Sequence, residues 1–134
     1  MKIPFGTIAV TKRSRKLINE ALDTLKLSSG RLVREFEAGF AGHIGVKEAV
    51  AVSTGTDADI LALAVLHDFG AKRGDEVIIP ALSFVATGNA VLHAGFTPVF
   101  VDVERHTLNI DPAKIERAIT ARTRAIMPVH LMGK

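Results

Sequence analysis

The stretch Ala49-Val50-Ala51-Val52-Ser53-Thr54-Gly55-Thr56-Asp57-Ala58 reads as a short apolar strand, a tight Ser/Thr/Gly turn and the opening of a helix. Four apolar residues in succession, without strict alternation, suit a parallel strand covered on both faces. Past the turn, the first amides of a helix have no acceptor within it. The amides of Gly55, Thr56 and Asp57, the Thr56 hydroxyl and the positive end of the helix dipole would together make a site for an anion such as phosphate. The same residues equally suit a plain N-cap by Ser53, Thr54 or Thr56, and spacing does not separate the two readings. Neither GxxxxGK[ST] nor GxGxxG is present in this loop, which speaks against ATP and dinucleotides.

Outward from this turn the pattern repeats. Further apolar runs at Val77 to Ile79, Thr97 to Val101 and Ala125 to Val129 alternate with helical segments at about Asp57 to Phe69, Phe84 to Ala94 and Asp111 to Ala121. Strand and helix in alternation predict an α/β fold, a parallel-rich sheet with flanking helices, and strand C-terminal ends gathered along one ligand-binding edge. Upstream, Thr11 to Leu27 and Val33 to Ile44 carry apolar residues at helical spacing, the first ended by Ser28-Ser29-Gly30 and the second by Gly45. The chain therefore divides into a helical segment, 1–46, and a βαβ part, 47–134. The last run leads into Leu131-Met132-Gly133-Lys134 with no following helix, so these residues are expected to form the front part of a larger domain.

Composition narrows the function. With 134 residues, 48% of them hydrophobic, a net charge of +3 and a mean hydropathy of +0.27, the chain is built to bury surface rather than to stay disordered. The pI near 9.5 is not matched by a base-stacking platform, because the aromatic residues are seven Phe with no Trp or Tyr. Lys12, Arg13, Arg15 and Lys16 read as a solvated helix face, since Glu20 and Asp23 follow. No nucleic acid partner is expected. Zero cysteines remove disulfides and thiolate chemistry, and no stretch has the length of a signal peptide or membrane span, so a cytoplasmic protein without membrane contact is expected.

Other candidate residues fall on the same edge. Phe84 follows the strand Val77 to Ile79 and presents a face for a planar ring, although an aromatic there can also cap the core. Asp102 ends the strand Thr97 to Val101, with a turn or helix-capping acid as its plainer role. His130 ends the last run, where a lone histidine is commonly a structural hydrogen bonder. The five histidines lie thirteen to twenty-six residues apart with no i, i+4 pair, so no metal site is expected.

Taken in order, Gly30-Arg31-Leu32-Val33-Arg34-Glu35-Phe36-Glu37, Ser53 to Ala58, Gly74-Asp75-Glu76-Val77-Ile78-Ile79-Pro80, Ser83-Phe84-Val85-Ala86-Thr87, Thr97 to Asp102 and Pro128-Val129-His130-Leu131 resemble the start of DegT-type nucleotide-sugar aminotransferases. The resemblance covers nearly the whole chain. It implies the N-terminal part of the large domain of the PLP-dependent transferase (aspartate aminotransferase-like) fold, with pyridoxal 5′-phosphate as cofactor and a homodimer as the assembly. It also implies that Gly55 and Thr56 hold the cofactor phosphate and that Phe84 stacks on the pyridine ring. Asp59 departs from the apolar residue common in the family, without harm so near a helix N-terminus.

The family's Schiff-base lysine and the aspartate that pairs with the pyridine nitrogen have no counterpart in these residues. Lys47 precedes its strand, Lys72 lies in a loop entering one, Lys114 falls on a helix surface, and Lys134 is terminal. The resemblance thus implies transfer of an amino group from an amino acid, glutamate foremost, to a nucleotide-linked keto-sugar, with these 134 residues inactive alone. The other reading is a non-catalytic phosphate-ligand or interaction module built on the same fold.

Overall fold

The computed structural model describes residues 6–133, and Glu76–Pro80 (β1) is buried along its whole length. β1 pairs in parallel with Thr97–Val101 (β2) on one side and Thr123–Ile126 (β3) on the other, giving the sheet order β2-β1-β3. Side chains alternate across a strand, so β1 serves two cores. Val77 and Ile79 join Leu63, Ala90, Val91, Ala94 and Phe96, whereas Ile78 joins Val101 and Ile110, with Ile115 and Ala118 packed against them. Helices Gly55–Ala64 (α3) and Val85–His93 (α4) thus cover one face of the sheet and Pro112–Ala118 (α5) the other. Each fully buried Val or Ile of β1 contributes about 1.5–3 kcal/mol, and burial on both faces explains its uninterrupted apolar run. The α/β, parallel-sheet expectation agrees with this arrangement.

The chain divides between Ala51 and Val52 into two compact units. The second holds the sheet. The first holds Lys12–Asp23 (α1) and Arg31–Ile44 (α2). Thr11 caps α1 by accepting the Ser14 amide at 3.0 Å. α1 then ends at Asp23, short of the expected Leu27. Leu25 turns left-handed (φ 53°), the Lys26 amide reaches back to the Ala21 carbonyl at 3.1 Å, and the Thr24 hydroxyl donates to the Glu20 carbonyl at 2.7 Å. Arg31 opens α2 and pairs with both Glu20 of α1 and Glu35 one turn on, the latter at 2.6 Å. Gly45 (φ 81°) closes α2 in the left-handed region, as its position after the apolar stripe predicts.

One expected strand is not formed. Ala49 to Val52 is irregular, and the Ala51 amide donates to the Glu37 carboxylate at 2.9 Å instead of to a neighbouring strand. A strand exists only within a ladder. Both sides of β1 are occupied, and among the described residues no strand pairs with this run.

Other boundaries moved for local reasons. The helix expected at Asp57 starts at Gly55 because Thr54 caps it, and its last turn, Val65–Phe69, tightens to 3₁₀. The last strand runs from Thr123 to Ile126 rather than from Ala125 to Val129. Pro128 has no amide for a ladder, and the register against β1 shifts between Glu76 and Val77, leaving Arg124 as an extra residue. That residue is used: Arg124 donates to Asp75 at 2.7 Å, while Thr120 and Arg122 both reach the buried Glu76 at 2.5 Å. These contacts fasten β3 to the N-terminal end of β1.

Candidate functional site

Parallel strands point their C-terminal ends the same way, so Ala81 to Phe84, Asp102 and Met127 to His130 all leave the sheet at one edge. α4 starts at this edge and runs back to the other. α3 also finishes at the far edge, since its continuation leads into Glu76, and Leu63 in its last turn packs with Ala90, Val91 and Ala94 of α4. The two helices therefore run side by side in the same sense. Their N-termini, carrying Gly55 and Thr56 on one and Phe84 on the other, both face the strand C-terminal edge.

The turn before α3 is a closed hydrogen-bond unit. Thr54 accepts the Asp57 amide at 3.0 Å and donates to the Asp57 carboxylate at 2.9 Å, and the Ser53 hydroxyl donates to the same carboxylate. The Ser53 hydroxyl, followed by that of Thr54, holds the Asp57 carboxyl below its ordinary range, so it stays ionised against the helix dipole. Of the N-cap alternatives, Thr54 is the one realised, and the Asp57 amide is consumed by it. The amides of Gly55 and Thr56 still precede any intrahelical acceptor. A methyl group placed on Gly55 would meet nothing within 4 Å, so a ligand could approach its backbone closely.

Phe84 occupies the N-cap position of α4 and is 71% exposed, so it does not cap the core. It lines a cavity of about 290 Å³ with Ile79, Pro80, Ser83, Thr87 and Phe100 among others, none from the 53–57 turn. The structure thus places the expected residues on one edge, with this cavity beside Phe84 and not lined by the 53–57 turn. Ser83, Thr87 and Phe100 were not expected in this role. Ser83 and Thr87 stand one helical turn apart with hydroxyls 2.6 Å from each other, a spacing visible in the sequence, whereas Phe100 shares a sheet face with Ile79 through the β2 register, which local spacing does not show.

The remaining edge residues have structural partners. Asp102 accepts from Lys114 at 2.8 Å and from the Val103 amide at 2.9 Å. The Lys114 ammonium, followed by that amide, holds the Asp102 carboxyl below its usual range, and Asp102 in turn raises Lys114. Asp111 caps α5 through the Ala113 amide at 3.0 Å. His130 is exposed on the loop after β3. Lys134 lies outside the described residues. Among the described residues there is no cluster of three metal-ligating side chains, and no helix is long and apolar enough to cross a membrane.

Comparison with known proteins agrees with this architecture. GDP-perosamine synthase of Caulobacter vibrioides is 49% identical over 121 residues, covering 90% of this chain and 32% of that protein. The 3-oxo-glucose-6-phosphate:glutamate aminotransferase of Bacillus subtilis is 46% identical over 117 residues, covering 87% of this chain and 26% of that one. The chain spans about a third or less of the length of these relatives. Among solved structures, E. coli GDP-4-keto-6-deoxy-D-mannose-3-dehydratase with bound hydrated PLP superposes with a TM-score of 0.88 at 35% identity, covering 98% of this chain and 35% of that one. The model of one family matches residues 9–134, and the chain belongs to it: the DegT/DnrJ/EryC1/StrS aminotransferase family.

Proposed function

We propose that these residues are the N-terminal part of a PLP-dependent aminotransferase that moves an amino group from an amino acid, glutamate foremost, to a nucleotide-linked keto-sugar. The observation that carries the reading is the pairing, on one sheet edge, of the open N-terminus of α3 with the exposed ring of Phe84. The names of the relatives support the substrate class. One is a GDP-perosamine synthase, another names glutamate and a 3-oxo sugar, and the similar dehydratase names a GDP-linked keto-sugar.

The residues fit a phosphate ester joined to a flat ring. Gly55 and Thr56 would donate their amides to phosphate oxygens, the Thr56 hydroxyl would add a third donor, and Phe84 would cover one face of the ring and keep water from it. When bound, pyridoxal 5′-phosphate supplies the electron sink for amino transfer. Asp57 stays out of the anion site because its carboxylate is engaged by Ser53 and Thr54. Among the described lysines, Lys114 is held by Asp102 and Asp111, and Lys72 lies in the turn entering β1 at the opposite edge. As the family resemblance implies, proton transfer is assigned to a lysine these residues do not contain. The active assembly is a homodimer, in keeping with apolar side chains such as Phe36, Phe40 and Ile44 that α2 leaves exposed. The absence of cysteine agrees with a cytoplasmic setting.

The test has two arms. In an amide chemical-shift titration of the 134-residue protein, pyridoxal 5′-phosphate should move Gly55, Thr56 and the residues around Phe84, whereas inorganic phosphate should move the first two alone. In a coupled glutamate assay the same protein should show no turnover. Cofactor-dependent turnover would overturn the assignment of the lysine. Shifts confined to sites away from α3 and α4 would leave the Ser/Thr/Gly turn as a helix cap only.

A further inference from the structure

His67 lies in the 3₁₀ turn that follows α3 and is half-buried. Its Nδ1 is 3.0 Å from the Ala71 carbonyl oxygen and its Nε2 is 2.9 Å from the Ala94 carbonyl oxygen. A carbonyl oxygen can only accept. A neutral imidazole carries one N–H, so it can satisfy one of these oxygens while its other nitrogen turns a lone pair toward the second. Only the imidazolium donates to both. The Ala94 residue is buried, so losing its donor would leave a carbonyl away from water. The ring also stacks on Phe96, with centroids 4.6 Å apart and planes 9° from parallel, a geometry in which the aromatic face favours a cation.

We propose that His67 is protonated in the folded chain at neutral pH and acts as a two-carbonyl clamp, tying the end of α3 to the end of α4 in a pH-dependent way. The charged groups facing the ring are Asp68 in its own turn, which favours the cation, and Arg73 in the turn before β1, which opposes it. The residues it meets from the end of α4 and the start of β2, Ala94 and Phe96, carry no charge. The hydrogen bond to the Ala94 carbonyl, then that to Ala71, raises the imidazole above its ordinary range. A raised folded-state value sets the sign. The contribution is fully present below the ordinary histidine range and is lost as pH rises through the raised value.

The experiment is a ¹⁵N-resolved titration of the histidine rings in the 134-residue protein, with urea denaturation at each pH. His67 should titrate above the ordinary histidine value of about 6.5, show both ring N–H groups at pH 7, and lose its charge over the same pH interval in which the urea midpoint falls. His67→Gln, which keeps a neutral donor group but removes the titrating ring, should flatten the pH dependence of the urea midpoint over that interval. A His67 ring present as a single neutral tautomer at pH 7, or a His67→Gln midpoint that keeps the parent's pH dependence, would overturn the proposal.

Discussion

Thr54 and Asp57 cap each other: one hydroxyl accepts the Asp57 amide at 3.0 Å and donates to the Asp57 carboxylate at 2.9 Å. This closes the turn from which α3 starts, and the Gly55 and Thr56 amides, in the first turn, have no acceptor within the helix. Thr54→Ala should lower the stability of the sheet-bearing unit by about 1 kcal/mol, the ordinary cost of a lost N-cap. Thr54→Ser should recover most of it. The measurement is the urea midpoint of each variant, and a midpoint unchanged by the alanine would show that the turn is held by other contacts.

Acid should weaken the fold through its carboxylates. The Lys72 amide first, and Arg124 second, hold Asp75 below its ordinary value of 3.8, as Ser53 and Thr54 do for Asp57. For a lowered carboxyl, the stabilisation is present above the unfolded value and is lost as pH falls through the folded one. The urea midpoint should therefore drop as pH is taken below about 4, and Asp75→Asn should make that drop shallower. An equally steep acid limb in the variant would place the effect elsewhere.

Burial ranks the strands. Ile78 of β1 is fully buried, whereas Phe100 of the edge strand β2 is 63% exposed. Ile78→Ala should cost about 2–5 kcal/mol by creating a cavity, enough to unfold a chain of this size under mild conditions. Phe100→Ala should cost under about 1 kcal/mol. Circular dichroism melts separate the two, and a larger loss at Phe100 would mean that the cavity beside Phe84 supports the fold.

Gly88 sits within α4 over that cavity. A methyl group there would meet Ile79 Cδ1 at 3.9 Å and Phe100 Cζ at 4.0 Å, which is ordinary contact. Gly88→Ala should therefore stabilise by up to about 1 kcal/mol through helix propensity. A lower melting temperature would show that α4 needs to lie closer to the sheet than this geometry has it.

What sequence reading reached and missed follows from the range of the forces involved. β1 is legible because a strand buried on both faces leaves a continuous apolar run, and β2 because Thr97 to Val101 is a short apolar run entered through the turn at Gly95, although only Val101 of it is buried. The helix at Gly55 was legible because capping is local. The run Ala49 to Val52 carries the same signal, yet pairing needs a partner, and composition names none; the Ala51 amide goes to Glu37, fourteen residues away. The His67 clamp was hidden for the same reason, since the Ala94 carbonyl lies twenty-seven residues on. At the candidate site, Gly55, Thr56 and Phe84 were named from local turn chemistry and family resemblance. The cavity walls Ser83, Thr87 and Phe100 depend on how α4 lies across the sheet, which no single segment records.

The division of labour between α3 and α4 can be tested by substitution. Hydrogen bonds from Gly55 and Thr56 to a phosphate are local to one turn, so they should persist without a covalent link to a lysine. Affinity for pyridoxal 5′-phosphate should then be weak, about 1 mM or ~4 kcal/mol. Thr56→Ala removes a hydroxyl from a charged acceptor and should cost about 1 kcal/mol, seen with pyridoxal 5′-phosphate and inorganic phosphate alike. Phe84→Ala removes the ring's apolar face but no phosphate donor. It should weaken pyridoxal 5′-phosphate and leave inorganic phosphate nearly unchanged. The exposed position of Phe84 makes this variant a clean test, since little packing is lost with the ring. Chemical-shift titrations of the three proteins with the two ligands decide it. Equal affinities throughout, or a Phe84→Ala loss as large for phosphate as for the cofactor, would mean that the two helix N-termini do not form one site.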